Sequence, residues 1–228
     1  MMTRMDAAAA ATRHSDSLGG RPENALSMLR TTQSWKTALK VALSNLNDLE
    51  TAFFNDMSRL WNLFLKPIKE NPASFGIGTD ISLHLCGAPE TLLTQLCKFL
   101  KDVRTRLDQF DTNQELSDVL TNNIFYFKTY ILYLKHLDRM LTALNTGLKG
   151  QAFKLCITNI EMKNKVSLEQ EIRRPVLHLN DLFHSINLLF AASDPVNPDH
   201  LSLRKAVGAI KKVKDEFNIT DDWRTKQS

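Results

Sequence analysis

The sequence has few of the residues that break helices or cross-link a chain. Its 228 residues include only 8 glycines, 7 prolines and 3 cysteines. A many-stranded sandwich or barrel needs turn residues at each tight hairpin, so this scarcity disfavours both. No apolar run reaches the roughly 18 residues that a membrane-spanning helix needs, which excludes a membrane-spanning protein. The leading fold class is therefore all-α.

The familiar signatures of catalytic and ligand-binding sites are also lacking. The chain contains no GxxxxGK[ST], GxGxxG, HExxH, GxSxG or CxxC pattern, which leaves phosphate-binding loops, zinc proteases, hydrolases and thioredoxin-like sites without support. Two groupings, His84 with Cys86 and His178 with His184, do not have the spacing of a complete metal site. We expect no covalent chemistry, no cofactor and no metal.

Charge and hydrophobic content are ordinary for a globular protein. Hydrophobic residues make up 43% and charged residues 24% of the chain, and the net charge of +4 is too diluted to indicate a nucleic-acid partner. The cysteines, Cys86, Cys97 and Cys156, are odd in number and lie in apolar segments. This pattern favours buried, reduced thiols over a disulfide framework and predicts a cytoplasmic location.

The composition divides the chain into three parts. Residues 1–31 are small and polar and have no leucine-rich core after a basic start, which predicts a disordered leader and not a secretory signal. Residues 32–220 form one helical domain, and residues 221–228 form a short polar tail.

Apolar residues at helical spacing predict a series of helices. The predicted helices are Trp35–Lys66, Pro89–Gln109, Gln114–Leu144, Gln151–Met162, Leu168–Ala192 and Leu201–Phe217. Pro67 is expected to end the first helix, and Glu70–Glu90 to be mostly connector. In SLEQEI, Ser167 is expected to form a capping box, and Pro175 is expected to kink the helix that follows.

The segment NLNDLETAFFNDMSRLWNLFLKPI, residues 45–68, has a pattern of its own. It resembles the first conserved region of the Dbl-homology domain, the exchange-factor domain for Rho-family GTPases, whose pattern is roughly ELLxTExxYVxDLxxLxxxFLKPL. Glu50 falls on the glutamate of that pattern, and the step from Glu50 to Pro67 is close to the family's step.

Two later segments extend the resemblance. SLEQEIRRPVLHLNDLFHSINLL, residues 167–189, is similar to the third conserved region, SLxxYLIKPVQRxxKYxLLLxxLL. DHLSLRKAVGAIKKVKDEFN, residues 199–218, is similar to the closing helix, which in the family ends in a functional asparagine, here Asn218. The resemblance covers about residues 35–218.

The resemblance implies both a fold and a function. The fold would be an elongated multi-helix bundle with a long first helix and a proline-kinked penultimate helix. The function would be to promote GDP release from a small Rho-family GTPase by remodelling switch I and switch II, without covalent chemistry. Glu50 would accept hydrogen bonds from switch I, and Asn218 would pin switch II. The implied GTPase-binding residues are Glu50, Arg173, Arg174, His178, Asp181 and Asn218.

Several positions depart from the family pattern. Asp181 stands where the family has a basic residue that touches switch II, and Leu177 and His178 replace a Gln-Arg pair. An unpaired carboxylate against an acidic switch II would cost of order a kcal/mol or more, so either the partner differs or exchange is weak. The alternative function is a non-catalytic helical scaffold that binds a GTPase or another protein without exchange activity.

Most such domains are followed by a pleckstrin-homology domain, and here only a short tail follows Ile219. Membrane placement is therefore expected to come from elsewhere. A third and weaker interpretation is a bundle that contacts a lipid surface through Lys211, Lys212 and Lys214. The features also fit a protein delivered by a bacterium into the cytosol of a host cell.

Overall fold

The structure is a computed structural model that describes residues 22–196 and 198–216. Over these residues the chain is helical and has no β-strand, which confirms the all-α prediction. The helices are α1 (Pro22–Leu60), α2 (Lys66–Glu70), α3 (Thr79–Asp108), α4 (Ser117–Asn122), α5 (Ile124–Leu148), α6 (Gln151–Asn164), α7 (Leu168–Ala192) and α8 (Pro198–Glu216). A π-helical segment, Trp61–Leu65, joins α1 to α2, and a 3₁₀ turn, Pro72–Phe75, precedes α3.

Four long helices form a bundle around one core. Helix α1 packs against α3 and α7, and α5 packs against the same two helices, so α1 and α5 lie at opposite corners. Helix α8 packs on α7 and α4, and α6 packs on α5. The core is dense with large side chains that are fully enclosed, including Phe64, Phe99, Tyr126 and Phe153.

Helix α1 differs from the prediction at both ends. It begins at Pro22, so residues 22–31, which were assigned to the leader, are helical; residues 1–21 lie outside the described residues. Pro67 does not end the helical path, because the π-helical segment precedes it and Pro67 lies in the first turn of α2. A proline lacks the amide hydrogen that an interior helical residue donates, and this lack is tolerated in a first turn.

Helix α3 begins well before the predicted start, and the expected connector at Glu70–Glu90 is confined to a short turn. Pro89 is buried inside the helix. Its apolar face continues a stripe that includes Leu85, Cys86 and Leu92, all buried, and this burial outweighs the helix-breaking tendency of proline. The predicted connector is therefore wrong, because the buried apolar stripe keeps this segment helical despite its glycines and prolines.

The predicted helix Gln114–Leu144 is divided at Asn123. The side-chain amide of Asn123 donates hydrogen bonds to the carbonyl oxygen of Val119 at 2.8 Å and to the carboxylate of Asp102 at 2.7 Å. The buried face of α5 includes three tyrosines, Tyr126, Tyr130 and Tyr133. Ile124, the first residue of α5, is 49% exposed.

Helices α6 and α7 follow the predicted ranges closely, and α7 runs through Pro175. The predicted capping box is wrong, since Ser167 makes no side-chain cap. Instead, the carboxylate of Glu161 accepts a hydrogen bond from the backbone N–H of Leu168 at 2.8 Å. The kink at Pro175 stays a prediction.

All three cysteines are free thiols, as predicted, but only Cys86 is buried; Cys97 is exposed and Cys156 is half-buried. Burial raises the pKa of the Cys86 thiol to about 11. Among the described helices, none is long and apolar enough to cross a bilayer. The same residues hold no group of three or more histidine, cysteine and carboxylate side chains placed to bind a metal.

Candidate functional site

The expected binding residues meet where α1 packs along α7. Glu50 lies on α1, whereas Arg173, Arg174, His178 and Asp181 lie on α7. We call this junction of α1 and α7 the seam. Asn218 lies outside the described residues.

Glu50 is the most deeply placed of these residues, with 0% of its surface exposed. The hydroxyl of Tyr126 donates a hydrogen bond to Oε2 of Glu50 at 2.7 Å. Nε2 of His178 lies 3.2 Å from Oε1 of Glu50, but the two atoms are not aligned for a hydrogen bond. The contact between Glu50 and His178 is therefore a close approach of two polar atoms and not a hydrogen bond.

His178 is held from its other side as well. Its Nδ1 makes a short hydrogen bond with the hydroxyl of Tyr130, and its ring stacks on Phe53 with centroids 3.7 Å apart and planes inclined by 8°. Only 5% of His178 is exposed. The side chains of Tyr126, Glu50, His178 and Tyr130 thus form a polar network that connects α1, α5 and α7 through the core.

The two tyrosine hydroxyls in this polar network remain protonated. Burial raises the pKa of both Tyr126 and Tyr130 well above its ordinary value, and the negative charge of Glu50 raises it further. A protonated hydroxyl is a hydrogen-bond donor, and Tyr126 uses this capacity to compensate the buried carboxylate.

The enclosure of Glu50 differs from what the family resemblance implies. A carboxylate that accepts hydrogen bonds from a partner must be reachable from the surface, and in this structure neither Glu50 nor His178 is. The sequence does contain the signal for burial. Leu46, Glu50, Phe53 and Met57 are spaced by four, three and four residues, which places Glu50 on the apolar face of α1.

Beside this polar network, four charged side chains form a closed ring across the seam. Arg59 pairs with Asp56 at 2.9 Å and with Glu171 at 3.0 Å, and Arg174 pairs with Asp56 at 3.0 Å and with Glu171 at 2.9 Å. Glu171 is only 3% exposed. The ring fixes α7 against α1, because each arginine contacts a carboxylate on both helices.

Arg174 was expected at the site, and the ring shows that it is paired with two carboxylates. The ring also contains Asp56, Arg59 and Glu171, which sequence reasoning missed. Burial acts to lower the pKa of Arg59, but the hydrogen bonds and charges of Glu171 and Asp56 together outweigh it and raise that pKa. The available signal was the spacing of three residues between Asp56 and Arg59 and between Glu171 and Arg174, which puts opposite charges on one helix face.

The remaining α7 residues lie nearer the surface. Arg173 is partly exposed and pairs with Glu169, one turn earlier on the same helix, at 2.8 Å. Asp181 is half-buried. Arg173, Arg174 and Asp181 are thus the expected binding residues that the structure leaves accessible at the seam.

The C-terminal end of α8 is held against α7. Lys214 donates a hydrogen bond to Oδ1 of Asn180, and its ammonium lies 4.5 Å from the centre of the Phe183 ring. Because Lys214 is only 8% exposed, it does not present its charge to a lipid surface, whereas Lys211 and Lys212 are exposed. The predicted lipid contact through all three lysines is therefore wrong for Lys214.

Comparison with known families identifies this arrangement of helices. The sequence model of the RhoGEF domain matches residues 42–218, from the middle of α1 to the residues just beyond α8. The chain belongs to the RhoGEF domain family. The family match covers all three segments in which the Dbl-homology resemblance was found.

Solved structures with the same fold include several RhoGEF proteins. The DH domain of FARP2 has a TM-score of 0.69 and 16% identity, with 83% of this chain and 94% of that chain covered. The linker-DH/PH domains of p115-RhoGEF have a TM-score of 0.67 and 14% identity, with 81% and 56% covered. This chain therefore spans little more than half of the p115-RhoGEF chain. The comparison with curated proteins gave no match.

Two further structures with this fold contain a GTPase. The complex of the PDZ-RhoGEF DH/PH domains with activated RhoA has a TM-score of 0.67 and 12% identity, with 81% of this chain and 53% of that chain covered. The ternary complex of human RhoA, its inhibitor and the DH/PH domain of human ARHGEF11 also has a TM-score of 0.67 and 12% identity. In that match, 89% of this chain and 57% of that chain are covered.

Proposed function

We propose that this protein is a guanine nucleotide exchange factor that promotes GDP release from a small Rho-family GTPase. The observation that carries the proposal is the RhoGEF domain match, which extends over α1, α7 and α8. The RhoA complexes with PDZ-RhoGEF and ARHGEF11 support a Rho-family GTPase as the class of partner. The seam and the C-terminal end of α8 form the contact surface.

The proposed activity is a shift in binding equilibrium and forms no covalent bond. An exchange factor binds the nucleotide-free GTPase more tightly than the GDP-loaded form, and by linkage it weakens GDP binding by the same factor. Contacts to switch I and switch II supply this difference in affinity, because the two switches border the nucleotide pocket. The rigid helix packing beneath the seam holds the contact residues in place.

The proposed roles follow the depth of each residue. Arg173, Arg174 and Asp181 contact the switches from the surface of the seam, and Asn218 contacts switch II beyond the end of α8. Glu50 and His178 support the seam from below, since both are enclosed in the core. Glu50 reaches switch I only in a conformation in which Tyr126 and His178 release it.

A specific observation also supports the second candidate function, a scaffold that binds a GTPase without exchange. The carboxylate expected to meet switch I is enclosed and already accepts a hydrogen bond from Tyr126. In addition, Asp181 brings a negative charge to a position that is basic in the family. Both features reduce the preference for the nucleotide-free state, which is the property that separates an exchange factor from a scaffold.

The affinity for different nucleotide states distinguishes the two functions. Immobilised Rho-family GTPases are prepared nucleotide-free, loaded with GDP, or loaded with a non-hydrolysable GTP analogue, and the dissociation constant of this protein is measured for each. An exchange factor binds the nucleotide-free form at least tenfold more tightly than either loaded form. Equal affinities for the three states would identify the scaffold, and no binding to any GTPase would contradict both functions.

A further inference from the structure

Helix α5 has a solvent-exposed face that neither the bundle nor the seam uses. Three of its large apolar side chains are exposed: Ile124 by 49%, Phe125 by 62% and Leu132 by 52%. Exposed apolar side chains are common singly, but a group on one helix indicates an interaction surface.

Basic residues lie between these apolar ones on the same side of the helix. Successive residues of an α-helix are rotated by about 100°, so one set of exposed side chains falls within an arc of roughly 120°. We call this set the α5 outer face: Ile124, Phe125, Lys128, Leu132, Lys135 and Arg139.

The charge of the α5 outer face has one sign. It contains three basic residues and no acidic one, and the exposed Asp138 falls outside the arc by roughly 40°. Lys205 of α8 lines a groove together with Ile124 and so adds a further positive charge beside the face. Lys135 makes a 3.7 Å ion pair with Glu216 in which both side chains stay more than half exposed.

Phe125 and Lys128 project outward from this face, whereas Leu132 and Arg139 also border a pocket shared with α3. The ammonium of Lys128 lies 5.4 Å from the centre of the Phe125 ring, so the lysine stem runs beside the aromatic ring while its charge stays at the surface. Aromatic and aliphatic side chains interleaved with long basic ones suit the boundary between acyl chains and headgroups of a bilayer.

We propose that the α5 outer face docks this protein on an anionic membrane surface. Phe125 and Leu132 enter the boundary between headgroups and acyl chains, and Lys128, Lys135 and Arg139 attract the anionic headgroups. Helix α5 lies diagonally across the bundle from α1, so the docked protein leaves α1 and its seam with α7 facing away from the bilayer. This proposal does not depend on exchange activity.

The test is flotation of the 228-residue protein with two kinds of vesicle at low salt. One kind is phosphatidylcholine alone, and the other is phosphatidylcholine and phosphatidylserine in equal parts. The protein is expected to float with the anionic vesicles, to stay behind with the neutral ones, and to dissociate as salt is raised. Failure of the folded protein to float with anionic vesicles would overturn the proposal and leave a protein partner as the alternative.

A matched pair of double variants separates docking by this face from general attraction to a basic protein. The test variant is Phe125→Ser with Lys128→Glu on α5. The control is Leu155→Ser with Lys154→Glu on α6, where Leu155 is 59% exposed and the charge change is the same. The test variant should lose about tenfold or more in vesicle affinity while the control keeps its affinity. Equal losses in the two variants would contradict docking through α5.

Discussion

At the scale of single residues, the main feature of the proposed site is the enclosure of Glu50. A fully enclosed carboxylate needs a hydrogen-bond partner, and here the hydroxyl of Tyr126 supplies one, while Nε2 of His178 lies 3.2 Å from the other oxygen. These contacts tie α1 to α5 and α7 directly beneath the seam. Glu50 thus contributes to stability and, from beneath the seam, to the positions of the residues that a GTPase would meet.

The first prediction concerns substitution of Glu50. Glu50→Ala should lower the free energy of unfolding by roughly 2–4 kcal/mol, because Tyr126 and His178 lose their buried partner. Glu50→Gln, which keeps the shape and an acceptor oxygen, should cost less, about 1 kcal/mol. Urea unfolding followed by circular dichroism measures both. Asp48→Ala, at an exposed position on the same helix, is the control and should stay within about 0.5 kcal/mol.

An unchanged unfolding free energy in Glu50→Ala would show that the carboxylate is not enclosed in solution. In that case its direct contact with switch I would become the favoured role.

The second prediction concerns the thiols. The folded state raises the pKa of Cys86 from 9.0 to about 11, so the folded protein retains a proton that the unfolded chain loses. The contribution of Cys86 to stability is therefore complete below about pH 9 and is lost as the pH rises towards 11. Cys86→Ala should show a shallower loss of stability over that range in unfolding experiments at a series of pH values.

A thiol reagent gives a second readout on the same point. Cys97 is exposed and should react at once, whereas Cys86 should react only as the protein unfolds. Rapid reaction of all three thiols in the folded protein would be inconsistent with the described packing.

Residue identity alone predicted only part of this picture. The helical spacing was sufficient to place Glu50 on an apolar face, but the expectation of a surface role came from the resemblance, and the two conflict. The burial of Tyr126, Tyr130 and Tyr133 on α5 is a further feature that the sequence did not predict. Their burial depends on partners far along the chain, Glu50, His178 and the carbonyl oxygen of Ile172, and spacing within one helix carries no information on those.

At the scale of helices, the turn before α3 depends on one glycine. Gly76 has a φ of 68°, and a Cβ atom added there would lie 2.8 Å from the Cβ of Ala152 on α6. The left-handed conformation and this close approach together require glycine. The turn therefore connects the end of α2 to α3 and packs against the start of α6.

The third prediction follows from this contact. Gly76→Ala should lower the free energy of unfolding by about 1–2 kcal/mol or more, because alanine is strained at positive φ and meets Ala152. Gly87→Ala provides a control of opposite sign, since nothing lies within 4 Å of a Cβ at Gly87 in the interior of α3. That substitution should stabilise the protein by about 0.5–1 kcal/mol. Chemical denaturation measures the free energy of unfolding of both variants. An unchanged value for Gly76→Ala would contradict the turn geometry.

The predicted helices were reliable where a long apolar stripe determined them, as in α7, and unreliable at Pro67 and Pro89. Pro67, Pro89 and Pro175 all lie within helical paths. Pro67 lies in a first turn and the other two are buried, so position and packing offset the missing hydrogen bond. A rule applied to one residue at a time does not include the burial that the neighbouring helices provide.

At the scale of the whole molecule, the bundle assigns separate surfaces to separate tasks. The seam between α1 and α7 and the end of α8 form the proposed GTPase surface, and the α5 outer face at the opposite corner forms the proposed membrane surface. The family and the all-α class were predictable because three segments carry the pattern across nearly the whole chain. The partners of the enclosed Glu50 and the closed ring of Asp56, Arg59, Glu171 and Arg174 were not, because they depend on contacts between residues 76 or more positions apart in sequence.

The most direct test of the central claim is the rate of release of a fluorescent GDP analogue from a panel of Rho-family GTPases. The fourth prediction is that the protein accelerates release from at least one GTPase by tenfold or more, and that Arg173→Glu at the seam reduces this acceleration while Arg204→Glu, on the exposed side of α8, does not. Both variants should unfold at the same denaturant concentration as the unmodified protein. No acceleration of any GTPase by the folded protein, or an equal loss in both variants, would contradict exchange at the seam.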